Sequence, residues 1–215
     1  MKNSSAGITL IEIIVVIFII ALFTIILITD FPKMLRQLAL SRATYDLAQD
    51  LRKVQDLGLS GVQLMDVLNK PIAVKGYGIY IDITDNPTKY ILYADVGGDG
   101  QFGTYDQKYN GDFGSTTKWC SKVNQTTEST GKLTDDCIVE IIDLSKKDKS
   151  LSIYGIGDST ISLGHTSINF LPPGPTTNID GFVGKEIGIT LKNTDGTTRS
   201  VKINTAGLIS IDLEK

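Results

Sequence analysis

One carboxylate stands apart in this 215-residue sequence. Glu12 lies inside residues 8–28, a run that is otherwise apolar except for Thr9 and Thr24. A charge at mid-membrane costs about 3 kcal/mol, less near the interface, so a retained one points to a function such as pairing with a cation. Three more acids, Asp95, Asp99 and Asp106, fall within Asp95-Val96-Gly97-Gly98-Asp99-Gly100-Gln101-Phe102-Gly103-Thr104-Tyr105-Asp106. They occupy the first, fifth and twelfth positions of an EF-hand-type loop with Gly100 at its turn, which is the oxygen chemistry calcium requires. Gly97 stands at the third position, and the last acid is Asp rather than Glu. A solvated Asp/Gly hairpin loop is the other reading of the same residues. Two cysteines, Cys120 and Cys137, and the single histidine His165 are too few for a Cys/His zinc centre. No motif sets a nucleophile or an acid beside His165, so it reads as a surface or strand-end residue and no enzyme activity is expected.

The elements that carry these residues follow from periodicity. Residues 8–28 form a stretch of about 21 residues, roughly 31 Å as a helix, which matches a bilayer core of about 30 Å. A secretory signal peptide has a shorter apolar run followed by small residues at its cleavage site. Here Ser4, Ser5, Ala6 and Gly7 precede the run instead. Beyond it, Phe31, Met34, Leu35, Leu38, Tyr45, Leu47, Ala48, Leu51 and Val54 recur mostly at spacings of three and four. That pattern predicts an amphipathic helix ending near Gly58 as its C-cap, with Pro32 kinking the helix or marking a boundary near Asp30. The whole rod spans about 51 residues, or roughly 77 Å. Its distal stripe requires a partner surface, and the β region that follows is the candidate.

After a polar stretch at 60–75, strands are predicted at 77–83 and 90–94 around the turn Asp85-Asn86-Pro87-Thr88. Others follow at 138–142, 151–154, 167–171, 187–192, 199–204 and 208–213. The turns Asn193-Thr194-Asp195-Gly196 and Thr205-Ala206-Gly207 make the last three a meander. The predicted class is α+β: a long N-terminal helix, transmembrane then amphipathic, packed on an antiparallel β-sheet domain. A net charge of −3 with 21% charged residues excludes a polycationic nucleic-acid surface.

The run Gly7-Ile8-Thr9-Leu10-Ile11-Glu12, behind the polar leader Met1-Lys2-Asn3-Ser4-Ser5-Ala6, closely resembles the class III signal of type IV prepilins and pseudopilins. The resemblance implies that a prepilin peptidase cuts between Gly7 and Ile8 and N-methylates Ile8, where the family usually has Phe. Cleavage creates an α-amine with a pKa near 8, largely protonated at neutral pH. In the family the glutamate, here Glu12, compensates the amine of a neighbouring subunit and sets the axial register of a filament. The implied organisation is a leader at 1–7, a transmembrane segment at 8–29, an amphipathic helix at 30–58 and an extracytoplasmic β-rich domain at 59–215. Implied partners are other pilin or pseudopilin subunits, the prepilin peptidase, the assembly platform in the membrane and membrane lipid. Flanking charge alone argues for the reverse orientation, since Lys2 precedes the span whereas Lys33, Arg36 and Arg42 follow it. The prepilin signal and the cysteines outweigh that count.

A second resemblance rests on the helix-then-meander order, on Asp50-Leu51-Arg52-Lys53-Val54-Gln55, and on the closing strands 187–191 and 201–209. It is to the minor pseudopilin H-type domain of type II secretion and to related minor pilins. The implied function is a structural, minor subunit of a type IV pilus or secretion pseudopilus; a binding module for adhesion or DNA uptake on the same scaffold is the alternative. Some minor pilins of this kind bind DNA through a basic C-terminal segment. Here the tail reads Ser210-Ile211-Asp212-Leu213-Glu214-Lys215 with only Arg199 and Lys202 nearby, so nucleic acid is not an expected partner. Outside the cytoplasm Cys120 and Cys137 would be oxidised, a link worth roughly 3 kcal/mol for a loop of this size. Reduced, packed thiols are the other reading.

Overall fold

The computed structural model describes residues 9–65, 69, 71–72, 74–96, 120, 136–158, 160–171, 176–182 and 184–212. The first element, α1, is an unbroken helix, Leu10–Ser60. Thr9 caps it in an extended conformation, and its Oγ1 accepts the Glu12 amide at 3.3 Å. The Thr-x-x-Glu spacing is that of a capping box. Pro32 lies within α1 rather than at a boundary. Lacking an N–H, it leaves the carbonyl one turn earlier without its helical donor.

The helix ends one turn later than its sequence predicts. Gly61 is the C-cap, at φ 61 and ψ 33, the left-handed conformation that glycine adopts without steric cost. Gly58 sits inside the helix for a different reason: a Cβ there would stand 2.7 Å from the carbonyl oxygen of Phe170.

Among the described residues twelve strands follow in chain order. They are β1 (Leu64–Met65), β2 (Pro71–Ile72), β3 (Gly76–Asp82), β4 (Lys89–Asp95) and β5 (Cys137–Asp143), then, after the short helix α2 (Leu144–Lys147), β6 (Ser152–Gly157). Next come β7 (Ser162–Leu163), β8 (His165–Leu171), β9 (Thr176–Ile179), β10 (Glu186–Lys192), β11 (Thr198–Asn204) and β12 (Ile209–Asp212). Two five-stranded antiparallel sheets result, ordered β5-β4-β3-β8-β9 and β12-β11-β10-β6-β7, with β1 and β2 as a separate ribbon. The predicted meander is β10–β11–β12. Four of these strands were not predicted from the sequence: β1, β2 and β7, whose two residues each are too few to display a period of two, and the four-residue β9.

Burial explains how the layers differ. In β10 only Ile187, Ile189 and Leu191 are buried, so that sheet turns one face inward. In β3 and β4 all but one residue each is buried, so both faces of the other sheet are covered. Its inner face supplies Ile79, Ile81, Leu92, Ile168 and Phe170 to the main core; its outer face carries Ile91, Tyr93 and Ile138 as a second cluster. Leu40, Ala43, Leu47, Ala48, Leu51 and Val54 of α1 belong to the main core, together with residues of both sheets. Each buried Leu there contributes roughly 2 kcal/mol.

Polar contacts fix the helix in register along this seam. Tyr90, fully buried in β4, donates its hydroxyl to Asp50 Oδ2 at 2.6 Å. Arg36 pairs with Asp195 at 2.6 Å, Lys147 with Asp46 at 2.6 Å and Lys53 with Glu140 at 2.7 Å. Gln55 donates to the Gly207 carbonyl at 3.0 Å. Exposed ion pairs of this kind are worth under about 1 kcal/mol each, so they select the docking register more than they stabilise it.

Burial raises the Asp50 carboxyl above its ordinary range, an effect that the Tyr90 hydrogen bond offsets only in part. A carboxyl with a raised folded-state pKa stabilises the fold fully in acid, and that contribution is lost as pH rises through the folded pKa. Asp50→Asn, which keeps an acceptor for Tyr90, should therefore gain stability relative to the parent chain between about pH 4 and neutrality, and the difference should close in stronger acid. Paired thermal melts across pH, on the full chain in detergent, check this. In the same assay Gly58→Ala should lower stability by about 1–3 kcal/mol, because overpacking against a backbone carbonyl outweighs the better helix propensity of Ala.

Candidate functional site

The apolar half of α1 presents its side chains outward. Every large hydrophobic residue from Leu10 to Ile28 is exposed, and the helix is long and apolar enough to cross a membrane. Its hydroxyl at Thr24 donates to the Ile20 carbonyl at 2.8 Å, which satisfies that group inside the helix as hydrocarbon surroundings demand. Glu12 stands in the first turn, exposed, where a carboxylate is favoured by the unpaired amides of a helix N-terminus. Among the described residues it has no ion-pair partner. Glu12 thus stands at the head of an uncovered apolar helix, its backbone amide bonded to the Thr9 cap. Gly7 and Ile8, the predicted cleavage site, lie outside those residues.

The second group of predicted residues falls at one end of the β5-β4-β3-β8-β9 sheet. Cys137 opens β5 opposite Ala94 of β4. Cys120 lies at disulfide distance from it, with the Cα atoms 4.8 Å apart, and both belong to the main core. Asp95 closes β4 and is fully buried, its Oδ2 accepting from Asn169 Nδ2 at 3.0 Å. Asp99 and Asp106 lie outside the described residues, and no group of three or more His, Cys, Asp or Glu among the described residues is placed to hold a metal ion. His165 is exposed at the first position of β8.

Two polar residues at this end were missed in the sequence. Asp136, only 1% exposed, accepts the Val96 amide on its Oδ1 at 3.2 Å. Asn169 reaches Asp95 from β8. Neither carries a local motif; Asp136 reaches Val96 and Asn169 reaches Asp95 across sequence separations of 40 and 74 residues. A hydrophobic strand interrupted by a single Asn, as in Ser167-Ile168-Asn169-Phe170, was the one signal available.

No protein-family model, curated protein or solved structure matches this chain.

The cysteine pair is separated by 17 residues in the sequence. Loss of a link closing a loop of that size should remove about 3 kcal/mol. A Cys120→Ser/Cys137→Ser double variant should therefore melt well below the parent chain, and dithiothreitol should lower the parent's melting temperature while leaving the variant's unchanged.

Proposed function

We propose that this chain is a structural subunit, of the minor kind, of a type IV pilus or a type II secretion pseudopilus. The observation that carries this reading is the pairing of one isolated carboxylate, Glu12 in the first turn of α1, with an exposed apolar helix of membrane-spanning length. Before assembly lipid covers that helix; in a filament the equivalent helices of other subunits do. Removal of residues 1–7 by a prepilin peptidase leaves an amine at Ile8, close to the Thr9 cap. In a low-dielectric bundle this cation requires a carboxylate, and Glu12 of an adjacent subunit meets the need at only one axial register.

The distal half of α1 packs on the sheets and carries the β-rich domain outside the cytoplasm, leaving the proximal half for assembly. Two observations support this orientation. Cys120 and Cys137 are placed as an oxidising compartment would keep them. Arg36, one of the three cations that follow the span, is engaged by Asp195 of the β10–β11 turn, which weakens the argument from flanking charge. The same holds for a nucleic-acid role, because Lys202 is paired with Asp212 at 2.7 Å. The membrane platform and the other subunits are the partners of this reading.

Competition between co-expressed wild-type and Glu12→Ala chains in the native host tests it, after terminal sequencing has confirmed that the mature chain starts at Ile8. If Glu12 only sat at the membrane interface, its loss would remove a desolvation penalty and change nothing in assembly. If it pairs with a neighbour's amine, each contact in the mutant leaves a buried cation unpaired, at a cost of about 3–5 kcal/mol. Glu12→Ala chains should then remain in the membrane fraction and be depleted from sheared filaments. A mature chain that retains residues 1–7, or equal entry of both chains into filaments, refutes the proposal.

A further inference from the structure

The end of the β-rich region nearest the apolar half of α1 collects cations that the fold does not pair. Arg36 marks the level: it holds Asp195 of the β10–β11 turn, and the charge of Asp148, just after α2, also acts on it. Both connections therefore lie beside the same stretch of α1. Lys192 ends β10 opposite Ser152 of β6, and Lys149 stands three residues before Ser152. Arg199 lies opposite Leu191 in β11, and Lys33 precedes Arg36 by about one turn of α1. Several acids at this end are already engaged. Asp195 is taken by Arg36 and Asp46 by Lys147, while Asp143 and Asp148 accept the amides of Ser145 and Ser150. Asp30 on α1 and Asp85 in the β3–β4 turn remain exposed. Lys33, Lys149, Lys192 and Arg199 form no ion pair among the described residues.

The length of α1 sets how far this rim stands from a membrane. Arg36 lies eight residues beyond Ile28, where the continuous apolar run ends, or about 12 Å along the helix. Lipid headgroups occupy about 5–8 Å outside the hydrocarbon. The rim around Arg36 is thus within one Debye length, about 8 Å, of the headgroup layer. An aromatic side chain accompanies the cations. Tyr154 of β6 is 62% exposed, with the Lys192 ammonium 4.3 Å from its ring centroid. Tyrosine and lysine, apolar in the body and polar at the tip, suit a membrane–water interface.

We propose that this rim, through Lys149, Lys192, Arg199 and Tyr154, docks on the anionic phospholipid headgroups of the bilayer that α1 crosses. Charge and tether together select this partner. Unpaired cations are attracted to an anionic lipid surface, and the attraction fades within a Debye length. The continuous helix holds the rim inside that distance, so docking needs no encounter from solution and benefits from a high effective concentration. Lys33, still closer to the apolar run, lies at headgroup level itself. Anionic lipid then fixes how the β-rich region sits on the membrane, and salt releases it. The inference requires only that α1 spans a bilayer; it holds for either orientation and without a filament.

The test uses full-length chain reconstituted in nanodiscs of phosphatidylcholine alone, or of phosphatidylcholine with phosphatidylglycerol. Exposed lysines are acylated and quantified by mass spectrometry. In the anionic discs acylation of Lys149 and Lys192 should fall by about threefold or more. Lys185, whose carbonyl meets Thr205 at the opposite end of the sheets, should be unchanged. The difference should vanish at about 0.5 M salt. The parent should also melt at a higher temperature in anionic than in zwitterionic discs. Lys149→Glu/Lys192→Glu should lose that difference, and its melt in zwitterionic discs shows whether it is folded. Equal acylation of Lys149 and Lys192 in the two discs overturns the proposal, whether the rim is open in both or covered in both by a second copy of the chain. A fall that includes Lys185 overturns it as well, as does a lipid-dependent melt that survives in the folded double variant. A chain that does not enter discs refutes the membrane-spanning reading of α1, a failure distinct from these.

Discussion

The structure depends on a single helix being asked to satisfy two different solvents. From Leu10 to Ile28 α1 exposes apolar side chains on all sides, whereas from Leu40 to Val54 it buries one stripe only. A helix apolar all round cannot remain in water, and a helix with one apolar stripe cannot fold back on itself. Each half therefore needs its own partner: hydrocarbon or other helices for the first, the two sheets for the second. The continuity of α1 through Pro32 couples the halves mechanically, so the position of the β-rich region is fixed by whatever fixes the proximal helix.

The seam between helix and sheets is built to hold one register. Apolar burial of Leu40, Leu47 and Leu51 supplies the bulk of the attraction, but such contacts tolerate sliding by a turn. The short Tyr90–Asp50 hydrogen bond, the ion pairs to Glu140, Asp46 and Asp195, and the close approach at Gly58 do not. Asp50 and Tyr90 are both desolvated, and each shifts the other's proton affinity. A mispaired register would leave one of them buried without its partner, which is a larger penalty than any single exposed ion pair.

The two sheets differ in how they use their outer faces. The β12-β11-β10-β6-β7 sheet alternates buried and part-buried residues along β10, the pattern of a sheet wetted on one side. The β5-β4-β3-β8-β9 sheet is covered on both, and its outer face mixes Ile91, Tyr93 and Ile138 with Asp95 and Asn169. Polar residues on a covered face are expensive unless they are matched to one another or to a ligand. Their clustering at the Cys137 end, rather than along the strand, localises that expense to the place where the chain leaves and re-enters the sheet.

The sequence by itself determined the elements whose information is local. The apolar length of residues 8–28, the isolation of Glu12, the period of the amphipathic helix and eight of the strands could be read because each depends on residues within one or two turns or within one strand. Gly58 was misread for the complementary reason: a glycine near a helix end reads locally as a cap, while its actual constraint is the carbonyl of Phe170, more than a hundred residues away. Gly61, only three positions on, takes the cap. The division into two sheets, the insertion of β6 beside β10 and the meeting of Asp95 with Asn169 were decided by tertiary structure alone. Strand pairing is chosen by the joint burial of many distant side chains, and a one-residue change of register would place every one of them on the opposite face.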